Sequence, residues 1–350
     1  MVFGKKLSDS LKGIAIVLML LHHLFTSELI EKWAVNTIPF TREQMGQLCI
    51  QFKICVGIFV FITAYGMTRH YMSQKQLDKD NLFTYSKERC VKVALNFFVI
   101  YILGLIGHAV FLKDVTQIYN AGNNPVLMFI NIIIDAVGLN QYLATPTLNA
   151  TWWYISIAYI LIFLVPIMVL LYRKAGKLLL LVCCFNVIPV LALLNPYLFV
   201  VIMGIWAAEE SIFEKLYEKF HSQNKFLQIV QLILCFAVTG FLVYLRHLTN
   251  WTYLIDGICP LTIGYFLMLL TDCGKFVVNI LGFLGKYSMN IFLLHTFIYY
   301  YFFTEYIYKF HNWVLIFLAC FGASLLLSIL IELLKKKLGF YTLVNNITSK

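Results

Sequence analysis

Long apolar runs without a charged residue are the feature that most constrains this chain. Residues 314–331, for example, contain no Asp, Glu, Lys or Arg. A helix needs about 20 such residues to cross a bilayer core of about 30 Å, whereas strands of a membrane barrel show alternating segments of about 10 residues. Of the 350 residues, 61% are hydrophobic and only 13% are charged. The sequence therefore predicts an all-α, polytopic membrane helical bundle, and it excludes a soluble enzyme or a disordered chain.

Ten of the apolar runs are predicted to cross the membrane. The first follows Lys5 and Lys6 and has no small-residue cleavage site after it, so we expect a retained span rather than a removed signal peptide. The shortest run, 196–209, is expected to be tilted or extended at one end. No Gly/Ser/Pro-rich linker divides the chain, which predicts one membrane domain over 1–350. The predicted spans are 11–26, 48–68, 91–112, 152–172, 178–194, 196–209, 226–245, 252–271, 286–304 and 312–334.

Lysine and arginine residues orient these spans, because cytosolic loops carry an excess of both. With both termini in the cytosol, only six of the 27 Lys and Arg residues fall outside. An eleventh apolar stretch, 126–140, would reverse every later loop if it crossed. It is therefore predicted to be re-entrant or interfacial rather than spanning, and a re-entrant segment would help to line a pocket. The six outside cations are Lys32, Arg42, Lys53, Lys113, Arg246 and Lys309.

The charge and cysteine patterns exclude two classes of partner. The net charge is +10, but the charges lie between apolar runs and form no basic domain, so no nucleic-acid partner is predicted. None of the nine cysteines forms a CxxC pair, and His22 and His23 are adjacent rather than four residues apart. Adjacent helical residues point to different faces, so no metal site is predicted.

One face of the first span carries two ionisable residues. Lys12 and His23 are 11 residues apart, which places them about 20° apart around a helix and about 16 Å apart along its axis. Ionisable residues inside a membrane are rare and are functional candidates by default. A buried, neutral histidine is suited to accept a proton. The alternative interpretation makes Lys12 an orientation anchor and leaves the histidines hydrogen-bonded to neighbouring helices.

Other polar residues lie near the ends of spans. His295 and Asn290 lie in the ninth span, while His108 and Asp256 lie near outer ends and are interpreted as an interfacial polar cap. Arg89 lies at the inner mouth of the third span. Together with Lys12, it would form a basic mouth that suits a phosphate-bearing ligand.

Five segments, in order along nearly the whole chain, resemble the membrane acyltransferase 3 family, whose members O-acylate bacterial surface glycans. In the first segment the family has an arginine, ten intervening residues and a histidine, and Lys12 and His23 stand at these two positions. The segments are SLKGIAIVLMLLHH (10–23), GIFVFITAYGM (57–67), YSKERCVKV (85–93), WYISIAYILIFLVP (153–166) and LGKYSMNIFLLH (284–295).

The chain departs from the family pattern at several positions. Lys12 stands where the family has arginine, which keeps the charge but loses the planar bidentate fork. Ala158 and Tyr159 replace an acidic pair of the fourth motif, so a role for that carboxylate is not expected here. No SGNH-type esterase domain is expected, because the chain ends soon after Lys337.

The resemblance implies an O-acyltransferase that moves an acyl group, usually acetyl, from cytosolic acetyl-CoA or another acyl-CoA to a hydroxyl of a cell-surface or lipid-linked saccharide. Lys12 and Arg89 would bind the CoA phosphates. His23 would be the catalytic residue, either as general base or as acyl carrier. It also implies a location among the lipids of a bacterial cytoplasmic membrane. Residues that would support catalysis or orient the acceptor are His22, Trp153, Ser156, Asn290 and His295.

Two other functions fit a polytopic membrane chain. A transporter or flippase is compatible with ten spans, but no paired arrangement of broken helices is visible in the sequence. The same fold could instead acylate a lipid, a peptide or a small metabolite. A purely structural subunit would leave the face shared by Lys12 and His23 unexplained.

Overall fold

The computed structural model describes residues 1–74, 79–120, 122, 124–185 and 195–348. It is 84% helical, and among the described residues eight helices are long and apolar enough to cross a membrane. Each of them coincides with one of the ten predicted spans, which confirms the polytopic helical bundle. The eight are Lys5–Leu24, Arg42–Ser73, Leu82–Leu112, Ala150–Ala175, Lys225–Leu248, Thr252–Cys273, Lys275–Phe302 and Trp313–Lys337.

Three apolar stretches form shorter helices. The run predicted at 196–209 is the helix Leu198–Glu209, and the run at 178–194 begins with the helix Leu178–Cys184, while its residues 186–194 lie outside the described part. The stretch 126–140 contains the helix Pro125–Ala136. Its 12 residues extend about 18 Å, less than the bilayer core of about 30 Å. That length agrees with a segment that does not span, which stays a prediction.

The chain divides into two compact units. Unit 1 comprises Met1–Ser27, Phe40–Leu82 and Phe163–Ser288, and unit 2 comprises Glu28–Pro39, Phe83–Ile162 and Met289–Lys350. In chain order the α-helices are α1 (Lys5–Leu24), α2 (Ser27–Lys32), α3 (Arg42–Gln51), α4 (Ile54–Ser73), α5 (Lys79–Gly107), α6 (Val115–Tyr119), α7 (Pro125–Ala136), α8 (Asn140–Leu143), α9 (Trp153–Ala175), α10 (Leu178–Cys184), α11 (Leu198–Glu209), α12 (Ile212–Phe220), α13 (Lys225–Leu248), α14 (Thr252–Cys273), α15 (Lys275–Thr296), α16 (Thr304–Tyr308), α17 (Trp313–Lys337) and α18 (Phe340–Thr348).

Unit 1 is built around α4, which packs against α1, α11 and α14. Its buried side chains are mostly apolar, with Ile58, Phe61 and Met67 of α4 fully enclosed. Helix α13 packs against α14, yet only 6% of its apolar window is buried within the protein. A long apolar helix with so little protein cover presents most of its surface to the hydrocarbon of the bilayer.

Unit 2 has an aromatic core. Trp152 is fully enclosed, and its ring meets Phe97 edge-on at 4.9 Å and Phe297 at 5.5 Å between centroids. Tyr101 and Tyr119 are buried in the same cluster. Aromatic residues bury large areas and prefer such edge-to-face pairs, so this cluster holds together the parts of α5, α9 and α15 that belong to unit 2.

Asparagine residues fix where three of the helices begin. Asn124, Asn224 and Asn312 precede α7, α13 and α17, and each accepts a hydrogen bond from a first-turn backbone N–H at 2.9–3.2 Å. These N–H groups have no partner inside the helix, and a short polar side chain satisfies them. The boundaries therefore follow from single residues that interrupt the apolar pattern.

Candidate active site

Helix α1 carries three of the predicted site residues in unit 1. It runs without a break from Lys5 to Leu24 and therefore includes Lys12, His22 and His23. A continuous helix sets Lys12 and His23 about 16 Å apart along its axis and on nearly the same face. The face that the sequence predicts is therefore present in unit 1.

The Lys12 end of α1 packs against the first half of α15 at backbone contact distance. A Cβ atom at Gly13 would collide with the carbonyl of Leu281, and one at Gly285 would collide with the carbonyl of Asp9. The buried Ser10 hydroxyl donates a hydrogen bond to the carbonyl of Val278 at 2.8 Å. Glycine is the only residue that allows such an approach, so α1 is held firmly along its cytosol-predicted end.

Lys12 forms an ion pair within its own helix. Its Nζ lies 3.0 Å from Oδ1 of Asp9, one helical turn earlier. The Lys12 side chain stays 34% exposed, while that of Asp9 is 9% exposed. A half-exposed ammonium with one carboxylate partner keeps donor capacity for a further anion, because it has three N–H donors.

The His22 ring is oriented by the backbone of α3. Its Nδ1 donates a hydrogen bond to the Cys49 carbonyl at 2.8 Å, because a carbonyl can only accept. The neutral ring therefore carries its lone pair on Nε2. The ring of His23 lies 4.9 Å away, centroid to centroid, at an interplanar angle of 55°.

A buried ion pair supports this part of α3. The Arg246 guanidinium donates to both carboxylate oxygens of Asp256, at 2.7 and 3.3 Å, and to Oε1 of Gln51 at 3.1 Å. Gln51 ends α3, two residues after Cys49. Bidentate arginine pairs impose a defined geometry, so this group fixes the end of α3 and, through it, the carbonyl that orients His22.

The fourth motif is anchored inside unit 2. The Ser156 hydroxyl is fully buried and donates to the Gly138 carbonyl at 2.6 Å, which commits its proton to the backbone. Trp153, the first residue of α9, is half-buried, and its ring lies edge-on to Tyr154. Arg89 is also half-buried and forms no ion pair with the described residues.

Asn290 is engaged by a buried lysine. Its amide nitrogen donates to Oε1 of Glu332 at 2.7 Å, and its amide oxygen accepts from Nζ of Lys335 at 3.4 Å. Lys335 also donates to Glu332 and to Oδ1 of Asn96, at 3.1 and 2.9 Å. Both polar ends of Asn290 thus hold an ion pair of unit 2.

His295 joins a chain of hydroxyl groups. Its Nδ1 donates to the Phe292 carbonyl at 2.7 Å, so Nε2, 3.4 Å from the Thr296 hydroxyl, carries the lone pair. The Thr296 and Thr151 hydroxyls are 3.0 Å apart, and Thr151 donates to Oδ1 of Asn149 at 2.8 Å. The amide oxygen can only accept, so the Thr151 proton goes to Asn149, and the single proton of Thr296 serves either Thr151 or Nε2 of His295 at one time.

The comparisons with known proteins identify the group to which this chain belongs. Residues 7–333 match the family model that describes an acyltransferase domain, the acyltransferase 3 family. The chain belongs to this family. The curated proteins and the solved structures contain no significant match to this acyltransferase. Its family and its eight candidate spans make it an integral membrane acyltransferase, which acts on an acyl donor and an acceptor.

Further polar residues of the acyltransferase were not singled out from the sequence. Asp135 in α7 is fully buried and accepts hydrogen bonds from the Tyr119 hydroxyl at 2.5 Å and the Leu148 backbone N–H at 2.9 Å. Burial raises the pKa of this carboxyl above its ordinary value, and the hydrogen bond from Tyr119 offsets part of that rise. An acidic residue within an apolar stretch was the visible signal. Among the described residues no three or more His, Cys, Asp or Glu side chains gather in a way that could hold a metal ion.

Proposed function

We propose that this protein is an O-acyltransferase that moves an acetyl group from cytosolic acetyl-CoA to a hydroxyl of a cell-surface or lipid-linked saccharide, in the cytoplasmic membrane of a bacterium. The observation that carries the proposal is the family match over residues 7–333. The first-span motif supports it, because Lys12 and His23 lie on one continuous helix.

The phosphates of the donor are bound by cations, and the length of its pantetheine arm determines where its thioester lies. Lys12 and Arg89 supply positive charge for the CoA phosphates. Lys12 is 34% exposed despite its pair with Asp9. The pantetheine arm of CoA is comparable in length to the separation of about 16 Å between Lys12 and His23. This length brings the thioester towards His23.

The chemistry is a transfer from sulfur to oxygen. His23 accepts the proton of the acceptor hydroxyl as its oxygen attacks the thioester carbonyl carbon. The C–S bond then breaks, and the CoA thiolate takes the proton from His23, which leaves the ester and free CoA. His22, fixed by the Cys49 carbonyl, presents its Nε2 lone pair beside the His23 ring and supports that ring. Trp153, Ser156, Asn290 and His295 position the acceptor side, with His295 set by Phe292 and Thr296.

A binding and turnover experiment tests the two halves separately. The purified protein in nanodiscs is assayed for acetyl-CoA binding and for thioester hydrolysis, as wild type and as Lys12→Ala and His23→Ala. We expect Lys12→Ala to lose affinity and His23→Ala to bind without turnover, with rates at least about 100-fold lower. Lys6→Ala, an exposed lysine on the same helix, is the matched control. A folded His23→Ala protein with normal transfer contradicts the role of His23, and a wild type that binds no acyl-CoA contradicts the donor assignment.

A second experiment tests the membrane face from which the donor enters and the chemical class of the acceptor. Membrane vesicles of both orientations are supplied with acetyl-CoA labelled in the acetyl group. We expect labelled product to form only in vesicles that expose the cytosolic face. The label should be recovered in the saccharide fraction. Recovery in the lipid or peptide fraction supports the same fold with another acceptor, and the absence of any transfer favours a transporter.

A further inference from the structure

His108 is a fully enclosed histidine in unit 2 that the proposed mechanism does not use. Its side chain has no exposed surface, and it lies where α5 passes into a short π-helix, His108–Leu112. Three aromatic rings surround it, those of Tyr301, Phe302 and Phe297, at centroid distances of 5.1, 5.3 and 5.9 Å.

A carboxylate fixes the ring of His108. Nδ1 lies 2.9 Å from Oδ1 of Asp114, six residues later. The carboxylate accepts, so Nδ1 carries a proton, and in the neutral form of the ring Nε2 carries the lone pair. No described residue donates a hydrogen bond to that buried Nε2 atom. The pair therefore holds a proton-accepting nitrogen inside a nonpolar enclosure.

The backbone around this pair is conformationally costly. Lys113, between the two residues, has a left-handed φ of 54°, a conformation that a non-glycine residue adopts at a cost of about 1 kcal/mol or more. The π-helix is itself rare and is frequent at functional sites. A Cβ atom at Gly107 would lie 2.7 Å from the ring of Phe302, so only glycine allows the approach. The π-helix and the left-handed Lys113 thus connect His108 to Asp114, and the close approach at Gly107 sets the ring of Phe302 against the same turn.

A second buried polar side chain, Asn149, is connected to His108 through Ala150 and Tyr301. Asn149 is fully buried, and its Oδ1 accepts from both the backbone N–H and the hydroxyl of Thr151. Its Nδ2 has no partner among the described residues. The next residue, Ala150, donates its backbone N–H to the hydroxyl of Tyr301, whose ring contacts His108.

The two atoms are complementary in kind. Nε2 of His108 needs a donor, and Nδ2 of Asn149 needs an acceptor. A water molecule or an alcohol is both, and a buried polar group left unsatisfied needs such an explanation. Saccharides combine hydroxyl groups with nonpolar C–H faces, and the rings of Tyr301 and Phe302 match the second property.

We propose that His108, held by Asp114, is a hydroxyl-binding residue of a saccharide subsite in unit 2, distinct from His23. This inference rests on the proposed function only for the identity of the acceptor as a saccharide. His108 is enclosed, but the side chain of Asp114, which lies outside the candidate span Leu82–Leu112, is 26% exposed. A sugar would therefore approach from the side of Asp114, and its binding requires the residues around His108 to move.

A binding experiment tests the subsite without relying on catalysis. The protein is labelled with ¹⁵N-histidine, placed in nanodiscs, and titrated with a panel of methyl glycosides, with His108→Gln used to assign the resonance. The matched probes are the same glycosides with every hydroxyl methylated, which keep the ring and lose the donors. We expect the Nε2 resonance of His108 to move with at least one free glycoside and with none of the methylated ones.

Variants of the pair provide the second readout. Asp114→Asn is expected to weaken glycoside binding at least about tenfold, because the amide can also hold the ring in its other tautomer. Glu305→Gln, an exposed acid of the same unit, is expected to leave binding unchanged. Acetyl-CoA affinity is expected to stay within about twofold in each variant, because neither residue belongs to the proposed CoA site. The loss of one contact to CoA would lower that affinity about tenfold.

The outcomes separate the subsite from the proposed function. A resonance that does not move, or that moves equally with the methylated glycosides, overturns the subsite and leaves a buried water as the partner of Nε2. A clear shift in a protein that transfers no acetyl group from acetyl-CoA keeps the subsite and overturns the donor assignment.

Discussion

Each unit contains a lysine paired with an acid one helical turn earlier. In unit 1, Lys12 lies 3.0 Å from Asp9. In unit 2, Lys335 lies 3.1 Å from Glu332. The spacing, the chemistry and the distance are nearly the same. The surroundings differ, because the side chain of Lys12 is 34% exposed and that of Lys335 is 3% exposed.

The two lysines differ in how many of their ammonium N–H donors remain available for a ligand. Lys335 uses its ammonium on Glu332, Asn96 and Asn290, and lies over the ring of Phe340. An ammonium has three donors, so that lysine is saturated. Lys12 donates to Asp9 within unit 1. One spacing thus yields a structural cation in unit 2 and a candidate ligand-binding cation in unit 1.

Lys335→Met tests the structural cation and should have the largest effect on stability. It leaves the partly buried Glu332 without its charge partner, and removing one member of such a pair costs about 3 kcal/mol. We expect a clear fall in thermal stability in nanodiscs, with acetyl-CoA affinity unchanged in the folded fraction. Lys336→Met, at an exposed neighbouring position, is the control. Equal stability of the two variants contradicts the structural role.

Asn290→Ala removes two hydrogen bonds from the same group. A buried polar partner left unsatisfied costs about 1–3 kcal/mol, so we expect an intermediate loss of stability. The measurement compares thermal unfolding with the KM for the acceptor. If Asn290 acts mainly on the acceptor, the KM rises while the unfolding temperature stays at its wild-type value.

Lys12→Met tests the available cation. A half-exposed pair contributes less than about 1 kcal/mol to stability, so thermal unfolding should barely change. Acetyl-CoA affinity is expected to fall about tenfold, the effect of one charge-assisted contact. A variant that loses stability without losing affinity would make Lys12 a second structural cation and remove the contrast between the units.

Asp9→Asn should have the smallest effect and the opposite sign. It removes the carboxylate that competes with a phosphate for Lys12, so we expect acetyl-CoA affinity to rise about twofold to threefold at low salt. Ser8→Ala, one residue earlier and half-buried, is the control. Weaker binding in Asp9→Asn would show that Asp9 orients Lys12 rather than competing for it.

Hydropathy predicted the helices well because lipid imposes one requirement on every span. It located the eight long helices of the described residues to within a few residues at most ends, but α5 and α15 begin 12 and 11 residues before their predicted starts. It began α1 six residues late, because Lys5 and Lys6 are polar but form helix readily. It counted 196–209 among the spans as the short one, and the helix α11 there has 12 residues.

Partners of polar residues were less predictable, because they depend on helices far apart in the sequence. The face shared by Lys12 and His23 follows from helical geometry alone. The pair of Asn290 with Lys335 joins residues 45 positions apart, and the hydrogen bond from His22 to Cys49 spans 27. Asp9 was one turn from Lys12, and its spacing alone could have indicated the pair.

Gly13 and Gly285 lie against facing carbonyl groups, and this contact fixes the Lys12 end of α1. Each residue between Lys12 and His23 adds about 1.5 Å and turns the imidazole by about 100°. A single insertion there would move His23 to another face while Lys12 stayed in place. The distance from the proposed phosphate-binding cation to the proposed base is therefore set by the number of residues between them and not by side-chain adjustment. Under the proposed mechanism, a donor with a longer or shorter arm than CoA would not bring its acyl group to the same imidazole.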